Sequence, residues 1–418
     1  MSRRDFLDDF VGTSLWATVP AKYLFRYRKD TNAGMKEAHR LALTMGGVID
    51  RSLDDAEGLQ SSDYATYQIF EAGDLAFKLI DLQNIKTSRV GLVPRRGIMS
   101  SAYIRLTRTT RKVLPEFYYW YFYAAYLGNI FNGLGGGIRQ NLSQTELLEF
   151  PVPDLSYEDQ LAISRFLECE TAQIDGLIEK KTRFIELLDE KEKAEISRLV
   201  RLGVSKDADL FDTGIEWRGK APAHWIKGRL KDHFKLEKRQ GYEDLTVLSV
   251  YREFGVIEKS SRDDNINKTP EDLSKYQLVD ARDLVINKMK AWQGSMGISS
   301  LRGITSPDYV VMRPIGEHDP SYMHHFLRAR PMPWVYRLIS NGIREDQWRM
   351  EPEKFLTLPI FLPPLNEQKA IANEIDRELE RIRSLIATTE RSIELLKERR
   401  VALITAAVTG KIDVRNAA

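Results

Sequence analysis

The sequence predicts an α+β chain: two mixed α/β globular parts separated by two long helices that pair as an antiparallel coiled coil, with an internal pseudo-two-fold repeat. Three observations predict it. Residues 151–200 and 359–408 read as two copies of one segment at a constant offset of 208, so Gln160 matches Gln368, Ile163 matches Ile371, and Ile185-Glu186-Leu187-Leu188 matches Ile393-Glu394-Leu395-Leu396. Both copies carry apolar residues at three- and four-residue steps with charges between them, the pattern of a helix packed along another helix. Weaker matches extend the repeat through the intervening chain. A repeat of this size fixes architecture before any local assignment.

The weaker matches are Pro20-Ala21-Lys22-Tyr23 with Pro222-Ala223-His224-Trp225, Asp74-Leu75 with Asp283-Leu284, Gly97-Ile98 with Gly303-Ile304, Tyr103 with Tyr309, Phe117 with Tyr322, and Gly137-Ile138-Arg139 with Gly342-Ile343-Arg344. Their offsets drift by a few residues, as surface-loop insertions and deletions produce. Each half is then a variable globular part of about 150 residues followed by a uniform segment of about 50. The expected division is 1–153, a first globular domain; 154–206, a central helical spacer; 207–363, a second globular domain; and 364–412, a distal helical spacer.

The helix pair is expected to pack through Leu167, Ile174, Leu177 and Leu188 of the first copy and Ile375, Ile382, Leu385 and Leu396 of the second. From 366 to 408, about 43 residues, no Pro or Gly interrupts the second copy, and at 1.5 Å per residue such a helix is roughly 60 Å long. Gly176 is a tolerated weakness in the first. Prolines 151, 153, 359, 363 and 364 set each helix off from the domain before it. Ser156 or Asn366 is an expected N-cap, and Gly203 and Gly410 are expected stops. In the globular parts, β-rich runs at 245–251, 283–286 and 309–312 are bounded by Gly, Asp and Pro, and a helical stretch covers 115–127.

The chain of 418 residues, 43% hydrophobic, is long enough for about two to four domains with real cores. Its 62 basic and 60 acidic residues give a net charge of +2, which excludes a simple polycation but not a local basic face. The lone cysteine, Cys169, rules out an intrachain disulfide, and Met1 to Asp9 is too charged for a signal peptide, so a cytoplasmic location is expected. The uncharged aromatic run 117–131 is shorter than the roughly 20 residues of a spanning helix, so no membrane partner is expected.

Catalytic motifs are absent from this reading. Gly214-Ile215-Glu216-Trp217-Arg218-Gly219-Lys220-Ala221 nearly matches a phosphate-binding loop, but Ala221 stands where Ser or Thr would hold magnesium, and Pro222 follows. Gly133-Leu134-Gly135-Gly136-Gly137-Ile138 lacks the third glycine of a dinucleotide fingerprint. The sole Pro-Pro, in Leu362-Pro363-Pro364-Leu365, lacks the flanking polar and aromatic residues of a base-methylating motif. Six histidines and one cysteine show no zinc spacing, so no catalytic and no metal site is assigned.

Clusters of Arg, Lys, Gln and Asn do recur. The candidates for DNA contact are Lys78, Gln83, Asn84, Arg89, Arg95, Arg96, Arg139 and Gln140 in the first half, and Lys288, Lys290, Trp292, Gln293, Arg302, Arg344 and Gln347 in the second. Arg and Lys contact phosphates, Arg reads guanine bidentately, and Gln or Asn reads adenine. Lys78 matches Lys288, Gln83 matches Gln293 and Arg139 matches Arg344. The ordinary alternative for any one of them is a solvated surface charge, or a shared structural role.

Taken together, the sequence resembles the specificity (S) subunits of type I restriction–modification systems. The residues that carry the resemblance are Pro363-Pro364-Leu365-Asn366-Glu367-Gln368-Lys369-Ala370-Ile371, the ending Leu403-Ile404-Thr405-Ala406-Ala407-Val408-Thr409-Gly410-Lys411-Ile412, the central copy of both, and Trp217-Arg218-Gly219-Lys220-Ala221-Pro222-Ala223-His224-Trp225. It covers essentially the whole chain. The first copy departs from the usual wording at Asp154-Leu155-Ser156-Tyr157. The resemblance implies that each globular part is a target recognition domain reading one half of a bipartite double-stranded DNA site, and that the helices are the spacer and dock modification (methyltransferase) subunits. Those partners would carry S-adenosylmethionine, and a motor–nuclease restriction subunit would carry ATP and Mg, so this chain would bind no cofactor and catalyse nothing. Two other readings stay open: a self-sufficient DNA methyltransferase or nuclease, and a coiled-coil scaffold that does not bind DNA.

Overall fold

The computed structural model describes residues 10–12, 14–53, 63–80, 82, 88–134, 141–262, 269–342 and 348–414. The chain divides into two compact units, Met1–Thr182 with Glu390–Ala418, and Arg183–Thr389. Each unit holds one globular part and a stretch of both long helices. The helices run Tyr157–Leu202 (central) and Leu365–Val408 (distal).

In the first unit, a four-stranded antiparallel sheet has the order Phe25–Arg28, Ile104–Arg108, Leu75–Phe77, Val90–Leu92. The second unit repeats it with Phe234–Leu236, Tyr309–Pro314, Leu284–Asn287, Met296–Ile298. A second layer also repeats. The hairpin Arg40–Thr44/Gly47–Arg51 meets the pair Gln68–Phe70/Gly97–Met99 through a parallel contact of Arg40 with Ile98. Its counterpart is the hairpin Leu248–Tyr251/Gly255–Glu258, joined to Gln277–Val279/Gly303–Thr305 through Val247 and Ile304.

The matched glycines are explained at that contact. A Cβ on Gly97 would lie 2.8 Å from the His39 carbonyl oxygen and 2.7 Å from Leu41 Cγ. On Gly303 it would collide with the Thr246 carbonyl oxygen and lie 2.7 Å from Leu248 Cγ. Only a residue without a side chain lets the two strands approach there. A buried glutamine spans each layer: Gln68 Nε2 donates to the carbonyls of Ser100 and Tyr103, and Gln277 Nε2 to those of Ser306 and Tyr309.

The aromatic run forms the helix Pro115–Leu127, opened by proline at its first turn, where the missing N–H costs nothing. It is packed core: Phe117, Tyr118, Tyr121 and Phe122 are buried, and Tyr118 and Tyr121 donate their hydroxyls to the carbonyls of Pro153 and Pro151. Its counterpart is Pro320–Arg328, where buried Tyr322 donates to the Val200 carbonyl. Among the described residues no helix is long and apolar enough to cross a membrane.

Each long helix is tied to its own globular part by the glutamine of the matched motif. Gln160 Oε1 accepts from the Leu114 N–H at 2.7 Å while Nε2 donates to the carbonyls of Leu155 (2.9 Å) and Lys112 (3.2 Å). Gln368 Oε1 accepts from the Asp319 N–H at 2.8 Å and Nε2 donates to the Pro363 carbonyl at 2.9 Å. Ser156 caps the central helix through the Asp159 N–H. Asn366 is not the distal cap, because that helix already begins at Leu365. Gly203 and Gly410 take left-handed φ values of +80° and +78° at the helix ends.

Within each unit the helix segments run antiparallel. In the first, Ile163 and Leu167 share a core with Ile404, Ala407 and Val408, and Arg400 Nε meets Asp175 Oδ1 at 2.9 Å. In the second, Leu199 and Val200 share a core with Ile371, Ala372, Ile375 and Leu379. Leu167, Ile174, Leu188, Ile375 and Ile382 are buried, and Leu396 is half-buried. Leu177 and Leu385 are not seam residues: they are 46% and 40% exposed. The seam keeps its heptad step through polar positions instead, using Gln160, Ser164, Thr171 and Thr389. The three hydroxyls are buried because each donates to the carbonyl one turn back.

Candidate nucleic-acid interface

In the second unit the hairpin Leu248–Tyr251/Gly255–Glu258, the strand end at Asn287 and the turn Ala291–Gln293 wall a groove of about 1130 Å³. Among the described residues five basic side chains line it (Arg252, Lys259, Arg262, Lys275, Lys290) against three acidic ones (Glu253, Asp272, Asp308), so the described lining is net cationic. Tyr251, Tyr276 and Tyr309 add aromatic surface. The Arg262 guanidinium lies 5.2 Å from the ring centroids of both Tyr251 and Phe254. The buried Tyr251 hydroxyl has no hydrogen-bond partner among the described residues, a polar group left for something else to satisfy. Burial pushes the Tyr309 phenol up, so it stays a neutral hydroxyl at the groove wall.

Of the second-half candidates, Lys290 and Gln293 line this groove. Trp292 is half-buried beside it; its Nε1 donates to the Met289 carbonyl and its ring packs 5.8 Å from Trp348, so it braces the turn. Half-buried Lys288 accepts the Met350 N–H on its carbonyl. Arg302 is exposed, does not line the groove, and pairs with Asp280 at 3.3 Å. Arg344 and Gln347 lie outside the described residues.

In the first unit, Arg95 and Arg96 are exposed beside the equivalent hairpin. Arg95 pairs with Asp50, and Arg96 with Glu37 at 3.1 Å and with Glu71. Exposed pairs of this kind are worth about 0–1 kcal/mol, so a phosphate can displace the carboxylates. Lys78 is half-buried at the end of its strand. Arg89 is a correction: only 1% exposed, it donates to the carbonyls of Leu82 at 2.8 Å and Ile80 at 3.5 Å, and so holds a turn from inside instead of facing a ligand. Gln83, Asn84, Arg139 and Gln140 lie outside the described residues.

Sequence reasoning missed Arg252, Lys259, Arg262 and Lys275. The available signal was the hairpin tip Tyr251-Arg252-Glu253-Phe254-Gly255, in which an arginine sits between aromatics just before a glycine of φ +78°. The segment resembling a phosphate-binding loop is a turn, not a helix entrance. Its Arg218 is buried, donating to the carbonyls of Lys220 and Arg201, and stacks 5.5 Å from the Trp225 ring, while Glu367 accepts from Trp225 Nε1. Among the described residues no group of His, Cys, Asp and Glu is arranged to hold a metal.

The chain is a duplicated α+β protein with two units of one topology and two long helices, and the solved structures similar to it show the fold of type I restriction–modification S subunits. No family model and no curated protein matches the sequence. Among solved structures, it is similar to a chain from work described as the structural basis underlying complex assembly and conformational transition of the type I R-M system, at 14% identity, TM-score 0.65, and 95% of this chain against 98% of that one. It is also similar to the HsdS subunit from Thermoanaerobacter tengcongensis, at 13% identity, TM-score 0.55, and 95% against 97%.

Proposed function

We propose that this chain is the DNA-specificity subunit of a type I restriction–modification complex, a non-catalytic cytoplasmic protein in which each globular part reads one half of a bipartite duplex site. The observation that carries the reading is the cationic, tyrosine-walled groove of the second unit, set on a fold whose solved relatives include an HsdS subunit. Base edges and phosphates need donors of this kind, held on strands and short turns.

The two helices serve as spacer and as docking site for the modification subunits. Supporting this, four leucines off the seam are solvent-exposed at repeat-related places: Leu177 with Leu385, and Leu187 with Leu395, at 46%, 40%, 47% and 48%. Leucines kept at the surface twice over fit partners that bind twice. S-adenosylmethionine resides on those partners, and ATP and Mg on the restriction subunit. Mapping methylated adenines in cells expressing the complete system tests the reading. It expects one motif with two short half-sites separated by a fixed unread gap. Methylation or cleavage of DNA by the purified chain alone would overturn it in favour of an enzyme.

A further inference from the structure

Two groove side chains already touch. Arg252, at the hairpin tip, donates from Nη2 to Gln293 Oε1 at 2.5 Å. This contact changes what Gln293 can read. Adenine recognition uses both ends of a glutamine amide, Oε1 accepting from N6 and Nε2 donating to N7. Here the guanidinium occupies Oε1, and its charge opposes an approaching amino group. The groups of the pair left without a partner among the described residues are the Gln293 Nε2–H₂ and the other N–H groups of Arg252, which are all donors. The complement of such a surface is a base edge with two adjacent acceptors. In the major groove only guanine offers that, at N7 and O6; adenine and cytosine present an amino group, and thymine a single oxygen beside a methyl.

Both residues are held from behind, independently of any ligand. Arg328 Nη2 donates to the carbonyls of Arg252 at 2.5 Å and Glu253 at 2.8 Å, while its Nη1 donates to the Met296 carbonyl at 3.3 Å. On the other side the Gln293 N–H donates to the Lys290 carbonyl at 3.0 Å, and Gly294 closes the turn at φ +87°. Side chains on anchored backbone read a base with little ordering cost.

We propose that Arg252 and Gln293 act as one unit that reads a guanine in the half-site taken by the second globular part. This assignment rests on the specificity-subunit reading, and one experiment separates the two. The full chain, assembled with its modification subunits, is put through selection from random duplexes as wild type, Arg252→Ala, Gln293→Ala and, as an exposed cation outside the groove that pairs with Glu237 at 3.6 Å, Arg313→Ala. Melting curves show which variants are folded, and either groove variant alone decides the matter. Expected is a bipartite motif for the wild type, with one G·C position in one half losing about tenfold of its preference in both groove variants. The other half and the gap stay fixed, and Arg313→Ala keeps every preference. A bipartite motif with every position unchanged in the groove variants overturns the pair's role and leaves the subunit reading standing. Relaxation at an A·T position overturns the guanine assignment. No motif from the wild type overturns the subunit reading itself.

Discussion

The two units solve one electrostatic problem with different residues. In each, an aspartate of the repeat, Asp74 or Asp283, is buried at the entrance to the central strand and accepts a backbone N–H three residues back. Each needs a cation. Asp74 takes Arg105 from the neighbouring strand at 2.6 Å, with Arg105 also paired to Asp30 at 2.7 Å. In the second unit the repeat puts Val311 where Arg105 stands, and Asp283 is served by Arg239, arriving from the end of another strand. The acid is tied to the fold by the turn it caps, whereas the base is tied only by distance and so has moved. The helix pair shows the same freedom. Asp175 and Arg400 form an ion pair in the first unit; their repeat partners are Arg383 and Glu192, so the charges have changed sides. Burial pushes the Glu192 carboxyl up while Arg383 pulls it down.

The largest effect expected from breaking this comparison is at the buried pair. Arg105→Ala strands Asp74, of which 3% of the side chain is exposed, and should cost about 3–5 kcal/mol in urea unfolding. Arg239 is 18% exposed, so water can reach Asp283 once it is gone; Arg239→Ala should cost clearly less. Equal losses would mean that the two arginines are equivalent after all.

Acid should separate the units next. Five of the six histidines fall in the second unit. Burial, then the charges of His233 and Arg282, lower the pKa of His318 to about 4. An unfolded histidine titrates near 6.5. The unfolded chain therefore takes up the proton first, and stability present above pH 6.5 is lost as pH falls towards 4, by up to roughly 3 kcal/mol for this group. Hydrogen exchange should show the second unit loosening over that window, and His318→Leu should flatten the slope. A slope unchanged by that substitution would place the acid sensitivity elsewhere.

Smaller and symmetric is the effect at the glutamine ties. Gln160→Ala leaves a buried N–H unpaired and Gln368→Ala a part-buried one; each should cost about 2 kcal/mol, with protection lost first where the helix meets its own globular part. Smallest is the helix ion pair: Asp175→Asn should cost under about 1 kcal/mol, the range of exposed pairs. The reversed pair Asp175→Arg with Arg400→Asp should recover most of what either single reversal loses, because the second unit already carries such a reversal.

Much of this fold was legible in the sequence because the repeat reports geometry twice. Gly97 and Gly303, Asp74 and Asp283, and Gln160 and Gln368 stood out as matched pairs, and each proved to hold a backbone contact that no other side chain supplies. Less legible was whatever depends on partners distant in the chain. Leu177 and Leu385 looked like seam residues because periodicity counts apolar side chains, yet the seam runs through Thr171 and Thr389, whose hydroxyls are satisfied within their own helix. Arg89 looked like a surface cation because nothing local shows that the carbonyls of Ile80 and Leu82 enclose it. The groove was half visible: Lys290 and Gln293 were marked by their repeat position and composition, but Arg252 joins them only across 41 residues of chain.

Exchanging one globular part tests the proposal that each part reads its own half of a divided target. Residues 207–363 are replaced by the corresponding part of another chain of this fold whose own motif has been mapped, and methylated adenines are mapped in cells carrying the complete system. One half-site is expected to change to that of the donor while the other half and the gap between them are retained. A chimaera in which both halves change, or neither does, would contradict it.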